Sequence, residues 1–161
     1  MTLPPRWPSL WVALAISYGV AGLGGALTDI GPWYLALKQP DWKPPDVWFG
    51  PIWTTLFTLT AISAWLAWHA APWPHLRRRV VLLFTFNALC NVAWSALFFA
   101  LKRPDWALIE WGLLWLSVLA LVLGVWRVSR AAACLNVPYL AWVSAAGVLN
   151  HDTLVLNGPF A

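Results

Sequence analysis

Charged positions are so sparse along this chain that they act as dividers between long apolar runs. Stretches free of Asp, Glu, Lys and Arg cover residues 7–28, 47–76, 80–101 and 131–151, and a fifth over 106–126 is broken only by Glu110. Each is long enough to hold the roughly 20 apolar residues that a helix needs to cross about 30 Å of hydrocarbon. The pattern predicts five spanning helices, over about 10–27, 51–68, 80–101, 106–125 and 135–149. The runs are continuously apolar, whereas strands of a membrane barrel alternate in segments of about 10 residues. The expected fold class is therefore an all-α membrane protein: a five-helix transmembrane bundle, one domain over 1–161, with an ordered first loop.

The first run has a rival reading. A basic residue, an apolar core and the small residues "AGLGGA" also suit a cleaved signal peptide, but the apolar run continues to Leu27 and the cleavage pattern is poor.

Composition sharpens the class. The chain is 61% hydrophobic and 10% charged, against about 25% charged in soluble domains. With five spans, Arg6, Arg77, Arg78, Arg79, Arg127 and Arg130 share one side, while Lys38, Lys43, Lys102 and Arg103 share the other. That asymmetry favours a cytoplasmic amino terminus. The formal net charge of +4 is then a matter of topology and lipid contact, and nothing in it points to nucleic acid. Cys90 and Cys134 fall inside predicted helices, where a reduced packing role is the default.

Several constellations could carry chemistry. In "FNALCNVAWSALFFALKR" of the third run, Asn87, Asn91 and Ser95 repeat every four residues, with Trp94 and Phe98 beside them. Amides in a membrane helix need partners, so this stripe faces protein or a cavity; simple interhelical bonding is the alternative. In "VPYLAWVSAAGVLN" of the fifth run, Tyr139, Trp142, Ala146 and Asn150 share a face, and Pro138 introduces a kink. Trp53 opens the second run, and Trp111 and Trp115 lie four apart in the fourth. Glu110, about one turn from the start of its helix, is a functional candidate as an intramembrane acid, with the plainer expectation that it reaches the interface. His69, His75 and His151 do not cluster at metal spacing, so no metal site is expected, and no nucleophile pair or phosphate-binding loop is present.

The connection over 28–46 stands apart. Pro32, Pro40, Pro44 and Pro45 restrict its backbone, and Trp33, Tyr34 and Trp42 bring large apolar faces with polar tips. Such a segment suits an ordered cover, with an interfacial aromatic belt as the alternative.

Taken in order, "WYLALKQPDWKPP", "GPIWTTLF", "NVAWSALFF" and "VPYLAW" with Asn150 after it resemble the translocator protein family, TspO/MBR or tryptophan-rich sensory proteins, over about 24–150. The resemblance implies a five-helix integral membrane protein, often a homodimer, whose first loop caps a pocket for protoporphyrin IX or a related tetrapyrrole. It also makes the first helix part of the mature bundle. Tyr34 and Pro44 match loop positions that touch ligand, and Trp53 and Trp142 match tryptophans associated with porphyrin chemistry. Asn91 and Ser95 match a polar pocket wall, and Trp111 takes a pocket position in the fourth helix where its bulk would narrow the space. Tyr139 and Ala146 complete the expected ligand face. No Lys or Arg follows Tyr139, so the sterol pattern of animal members is absent, and this with the compact loops suggests a prokaryotic protein.

Three function classes follow. The first is a porphyrin receptor or transporter with no obligatory cofactor, its partners being an apolar small molecule, membrane lipid and a second copy of the chain. The second is light-dependent degradation of protoporphyrin IX through Trp53 and Trp142. The third is a lipid- or sterol-binding protein or a plain membrane scaffold.

Overall fold

The computed structural model describes residues 7–160. Helix α1 covers Trp7–Leu27, and the first connection contains a short helix α2, Pro32–Ala36, before a 3-10 turn at Asp46–Trp48. Then follow α3 (Phe49–Ala70), α4 (Pro74–Ser95) prolonged by a π turn (Ala96–Ala100), α5 (Pro104–Trp126), α6 (Arg130–Leu135) and α7 (Val137–Asn157). Five stretches among the described residues are long and apolar enough to span a membrane: Trp7–Leu27, Asp46–Ala70, Pro74–Ala100, Pro104–Trp126 and Arg130–Asn157. The chain is an all-α integral membrane protein.

Proline sets several of the starts. Pro32, Pro74, Pro104 and Pro138 stand in the first turn of α2, α4, α5 and α7, where a missing N–H costs no helical bond and the fixed φ suits the helix. Two expectations change for this reason. The third span begins at Pro74 rather than near residue 80, so Arg77, Arg78 and Arg79 belong to its first turns. The fifth run is two helices: α6 ends at Leu135, Asn136 bridges, and α7 continues to Asn157, well beyond 149. Pro138 therefore starts a helix instead of kinking one, and the Leu140 N–H reaches the Asn136 carbonyl at 3.0 Å.

The helices form a ring: α1 packs on α3 and α4, α4 on α5, α5 on α6 and α7, and α6 on α3. Alternation of the spans puts Arg77–Arg79, Arg127 and Arg130 at the end where α1 begins, and Lys38, Lys43, Lys102 and Arg103 at the other; Arg6 lies outside the described residues. Outward faces carry large apolar residues such as Ile109, Leu113, Leu116 and Leu123, which is appropriate only where the solvent is lipid.

Apolar contact gives little preference for helix over lipid, so packing fit and buried polar bonds hold such a bundle. The tightest group joins α3 to the α6/α7 junction. Ser63 Oγ donates to the Ala132 carbonyl at 2.8 Å and accepts from Asn136 Nδ2 at 2.7 Å, while the same Asn136 nitrogen reaches the Ala132 carbonyl at 3.1 Å. All three residues are essentially inaccessible. Elsewhere Ser17 Oγ donates to the Phe57 carbonyl at 2.7 Å, joining α1 and α3, and Asn87 Nδ2 donates to Ser117 Oγ at 2.9 Å, joining α4 and α5. Asn150 of α7, its amide oriented to donate to the Pro104 carbonyl and accept from the Leu108 N–H, both at 3.1 Å, secures the start of α5.

Trp111 is not where the resemblance put it. It packs on α7 over Gly147, where a Cβ would collide with the indole ring, and its Nε1 donates to the Val143 carbonyl at 2.8 Å. The missing side chain at Gly147 opens the slot, so the bulk of Trp111 fills an interhelical gap rather than narrowing a pocket. Glu110 also departs from expectation. On α5 its carboxyl turns inward beside Cys90, and both oxygens are buried without a hydrogen-bond partner among the described residues.

Asn136→Ala removes the amide that joins α6 to α3. We expect a loss of about 1–2 kcal/mol, read as a lowered unfolding midpoint in detergent, whereas Asn136→Asp, retaining the length but not the donor, should recover little of it.

Candidate functional site

The first loop, the upper half of α3, the end of α4 and the middle of α7 enclose a cavity of about 490 Å³, within the range of roughly 300–1,000 Å³ usual for small-molecule sites. Each element contributes through its local geometry. On α4, Asn91, Trp94, Ser95 and Phe98 recur at helical spacing and line the cavity. Phe99 lines it as well, so two large adjacent rings stand in one wall. The π turn makes it possible: the Leu101 N–H reaches back to the Ala96 carbonyl at 2.8 Å, and the wider turn brings both rings to one side.

On α7 the lining residues are Trp142, Ala146, Leu149, Asn150 and Thr153, one stripe at spacings of three and four. On α3, Phe49, Gly50, Trp53, Thr54 and Phe57 make the corresponding wall, and α1 adds Tyr18, Ala21, Gly24 and Gly25. Gly24 faces the polar stripe of α4: a Cβ there would make only ordinary contact, 3.5 Å from Ser95 Oγ. The indole N–H groups of Trp94 and Trp142 have no acceptor among the described residues, so two donors in the walls are unmatched.

The first loop supplies Tyr34, Gln39 and Asp46. Its rings rest on the π turn, Trp33 edge-on to Phe98 at 6.2 Å and Tyr34 against Phe99 at 5.8 Å. Tyr34 Oη donates to Asp46 Oδ1 at 3.0 Å, and the Lys43 ammonium bonds the same carboxylate while lying 5.5 Å from the Tyr34 ring and 5.7 Å from that of Phe49. Burial pushes the Tyr34 phenol above its ordinary range. Lys43 loses solvation there, yet its bonds to Asp46 and Tyr34 prevail and hold the ammonium above the usual lysine value. The loop is also tied to the end of α7. Asn157 accepts from the Lys38 N–H at 2.7 Å and donates to the Lys38 carbonyl at 2.8 Å, and Trp42 Nε1 donates to Asp152 at 3.0 Å.

Of the residues expected to contact ligand, Tyr34, Trp53, Asn91, Ser95, Trp142 and Ala146 meet at this cavity. Tyr139 stands one layer behind: it is buried, accepts from Asn91 Nδ2 at 2.9 Å and meets Trp53 edge-on at 6.1 Å. Pro44, half-buried in the loop, and Trp111 do not line it. Asn87 behaves as interhelical glue. Phe49, Trp94, Phe98, Phe99 and the loop residues Gln39 and Asp46 were not among the expected contacts. The spacing of Trp94 and Phe98 beside the Asn stripe was the available signal, whereas the π turn leaves no mark in periodicity. Among the described residues no group of His, Cys, Asp and Glu could hold a metal ion.

The family model for the TspO/MBR family matches residues 11–156. The chain belongs to the TspO/MBR family. It is 37% identical to the tryptophan-rich protein TspO of Chlorobaculum tepidum, covering 92% of this chain and 94% of that one. It is 34% identical to the protein CrtK of Rhodobacter capsulatus, covering 92% and 93%. The translocator protein of Bos taurus is 34% identical, covering 92% and 89%. As a family member the chain is an integral membrane protein, with relatives in bacteria, in an archaeon and in mammals.

Asn157→Ala deletes both bonds to the Lys38 backbone. Amide exchange in the segment 33–45 should rise about fivefold, the effect of losing roughly 1 kcal/mol of local protection, with the amides of α5 unchanged in the same mass-spectrometric run.

Proposed function

We propose that this protein binds a porphyrin, protoporphyrin IX or a related tetrapyrrole, in the cavity beneath the first loop, and serves as a membrane receptor or transporter for it. The observation that carries this reading is one cavity walled by aromatic rings from α1, α3, α4 and α7, with polar side chains such as Gln39, Asn91 and Ser95 set among them. A flat macrocycle offers two apolar faces to Trp53, Trp94 and Trp142, and its acidic periphery supplies acceptors for the unmatched indole donors and the Asn91 side. Tyr34, Gln39 and Asp46 then act as the underside of a lid. Family membership supports the reading, since the relatives include proteins called translocator protein and tryptophan-rich protein.

The finer expectations stand with it. Ala96 and Ala100 in the π turn are small enough for close helix approach, which supports a homodimer through α4. The lack of any Lys or Arg after Tyr139 supports a prokaryotic protein in which sterol is not the main ligand.

Titration with protoporphyrin IX in dim light should quench tryptophan fluorescence saturably, at one site per chain. Trp142→Phe should raise the apparent Kd about fivefold, the worth of about 1 kcal/mol of ring contact. Linear quenching that ignores the substitution would sink the proposal.

A second reading has its own support, because Trp53 and Trp142 both line the cavity and so would both adjoin a bound ring. Illuminated in air, the complex would oxidise the porphyrin at the expense of dioxygen, with the two indoles exchanging electrons with the excited macrocycle. A new absorbing product should appear from the parent and fall severalfold in Trp53→Phe; an equal yield would remove Trp53 from that role.

A further inference from the structure

A second apolar depression of about 630 Å³ lies between α3 and α7, lined by Ile52, Thr55, Leu56, Ala141, Trp142 and Ala145, with Trp48, Pro51 and Pro138 at its margins. It shares Trp142 with the inner cavity, so one indole divides the two spaces. The seam lies where α3, fastened to α6 by the Ser63, Asn136 and Ala132 bonds, meets α7 through side chains, Leu56 packing with Tyr139 and Val143. What bridges the gap is rings in edge contact, Phe49 to Trp142 at 5.5 Å and Trp53 to Tyr139 at 6.1 Å.

Trp142 is also less restrained than the two tryptophans of α5 that face α7. Trp111 and Trp115 on α5 are each held by a hydrogen bond to α7, to the Val143 carbonyl and Ser144 Oγ respectively, both at 2.8 Å. The Trp142 indole N–H has no acceptor among the described residues. Turning that ring breaks no hydrogen bond and joins the two spaces. Other sides of the cavity are better closed. The loop is tied to α7 through Asn157 and Asp152, and α1 is tied to α3 by Ser17 to Phe57 and by Tyr18 to Thr58, both at 2.7 Å. The rival opening is the α1/α3 edge nearest the loop, where Gly25 and Gly50 have open space around them.

We propose that the cavity is loaded sideways from the bilayer through the α3/α7 seam, with the outer depression as vestibule and Trp142 as the door. This rests on the cavity being the binding site, and it narrows the ligand class to flat apolar molecules already dissolved in lipid. The seam is apolar apart from Thr55, whose hydroxyl donates to the Pro51 carbonyl at 2.9 Å, and it lies within the spans, so a membrane-dissolved ligand meets it without crossing an aqueous phase.

The test is stopped-flow quenching by protoporphyrin IX of the full chain in phosphatidylcholine vesicles. Ala145→Phe fills the vestibule without entering the inner cavity, and should slow association and dissociation together by about tenfold, leaving Kd and stoichiometry as in the parent. An unchanged Kd certifies the fold; Ala141→Phe repeats the test should Ala145→Phe fail to reconstitute. Unchanged rates in the vestibule variant would overturn the route, as would acceleration by Asn157→Ala alone, which would move it to the loop. Failure of the parent to bind saturably would instead reject the cavity as the porphyrin site, and the seam with it.

Discussion

A polar group inside a bilayer has no water to fall back on, and this constraint shapes the whole molecule. Apolar contact between helices is scarcely better than apolar contact with lipid, so fit and internal hydrogen bonds must select one arrangement. Asn87, Asn91, Asn136 and Asn150 are all buried, and each joins a different pair of structural elements. Asn136 binds α3 to the α6/α7 junction, Asn87 binds α4 to α5, Asn91 binds α4 to α7 through Tyr139, and Asn150 secures α7 to the start of α5. The frame is a set of amide ties in a greasy matrix.

Two of these ties, Asn91 and Asn150, also stand in the wall of the cavity. Below the loop the ring of helices is lined by aromatic side chains whose polar tips are unmatched, as at Trp94 and Trp142, and that is where the cavity lies. The loop compensates for a lack of spanning length with rigidity: four prolines, ring contacts onto the π turn and a two-bond link from Asn157 to the Lys38 backbone. One end of the bundle is thus fastened by buried amides and the other by the first loop, resting on rings.

Individual side chains show how far the sequence could be read. Asn91, Ser95, Trp142 and Ala146 were legible because helical spacing places them on inward faces, and the structure brings them to one cavity. Trp111 was misread because its setting depends on Gly147, a residue in another helix whose missing side chain makes room for the indole. Tyr139 was placed on the right face but one layer too shallow, since its hydroxyl is claimed by Asn91. Glu110 was expected at the interface, yet its carboxyl turns inward beside Cys90.

By itself the sequence determined the class, the number of spans, the membrane environment and the family motifs, because span length and hydropathy are local properties that lipid reads one helix at a time. Tertiary structure decided which polar residues are glue and which face open space. It also decided that α7 begins anew at Asn136, and that two adjacent phenylalanines share one wall. Those outcomes depend on partners distant in the chain: an amide is silent about its role until the helix opposite either accepts its hydrogen bond or stands too far away to do so.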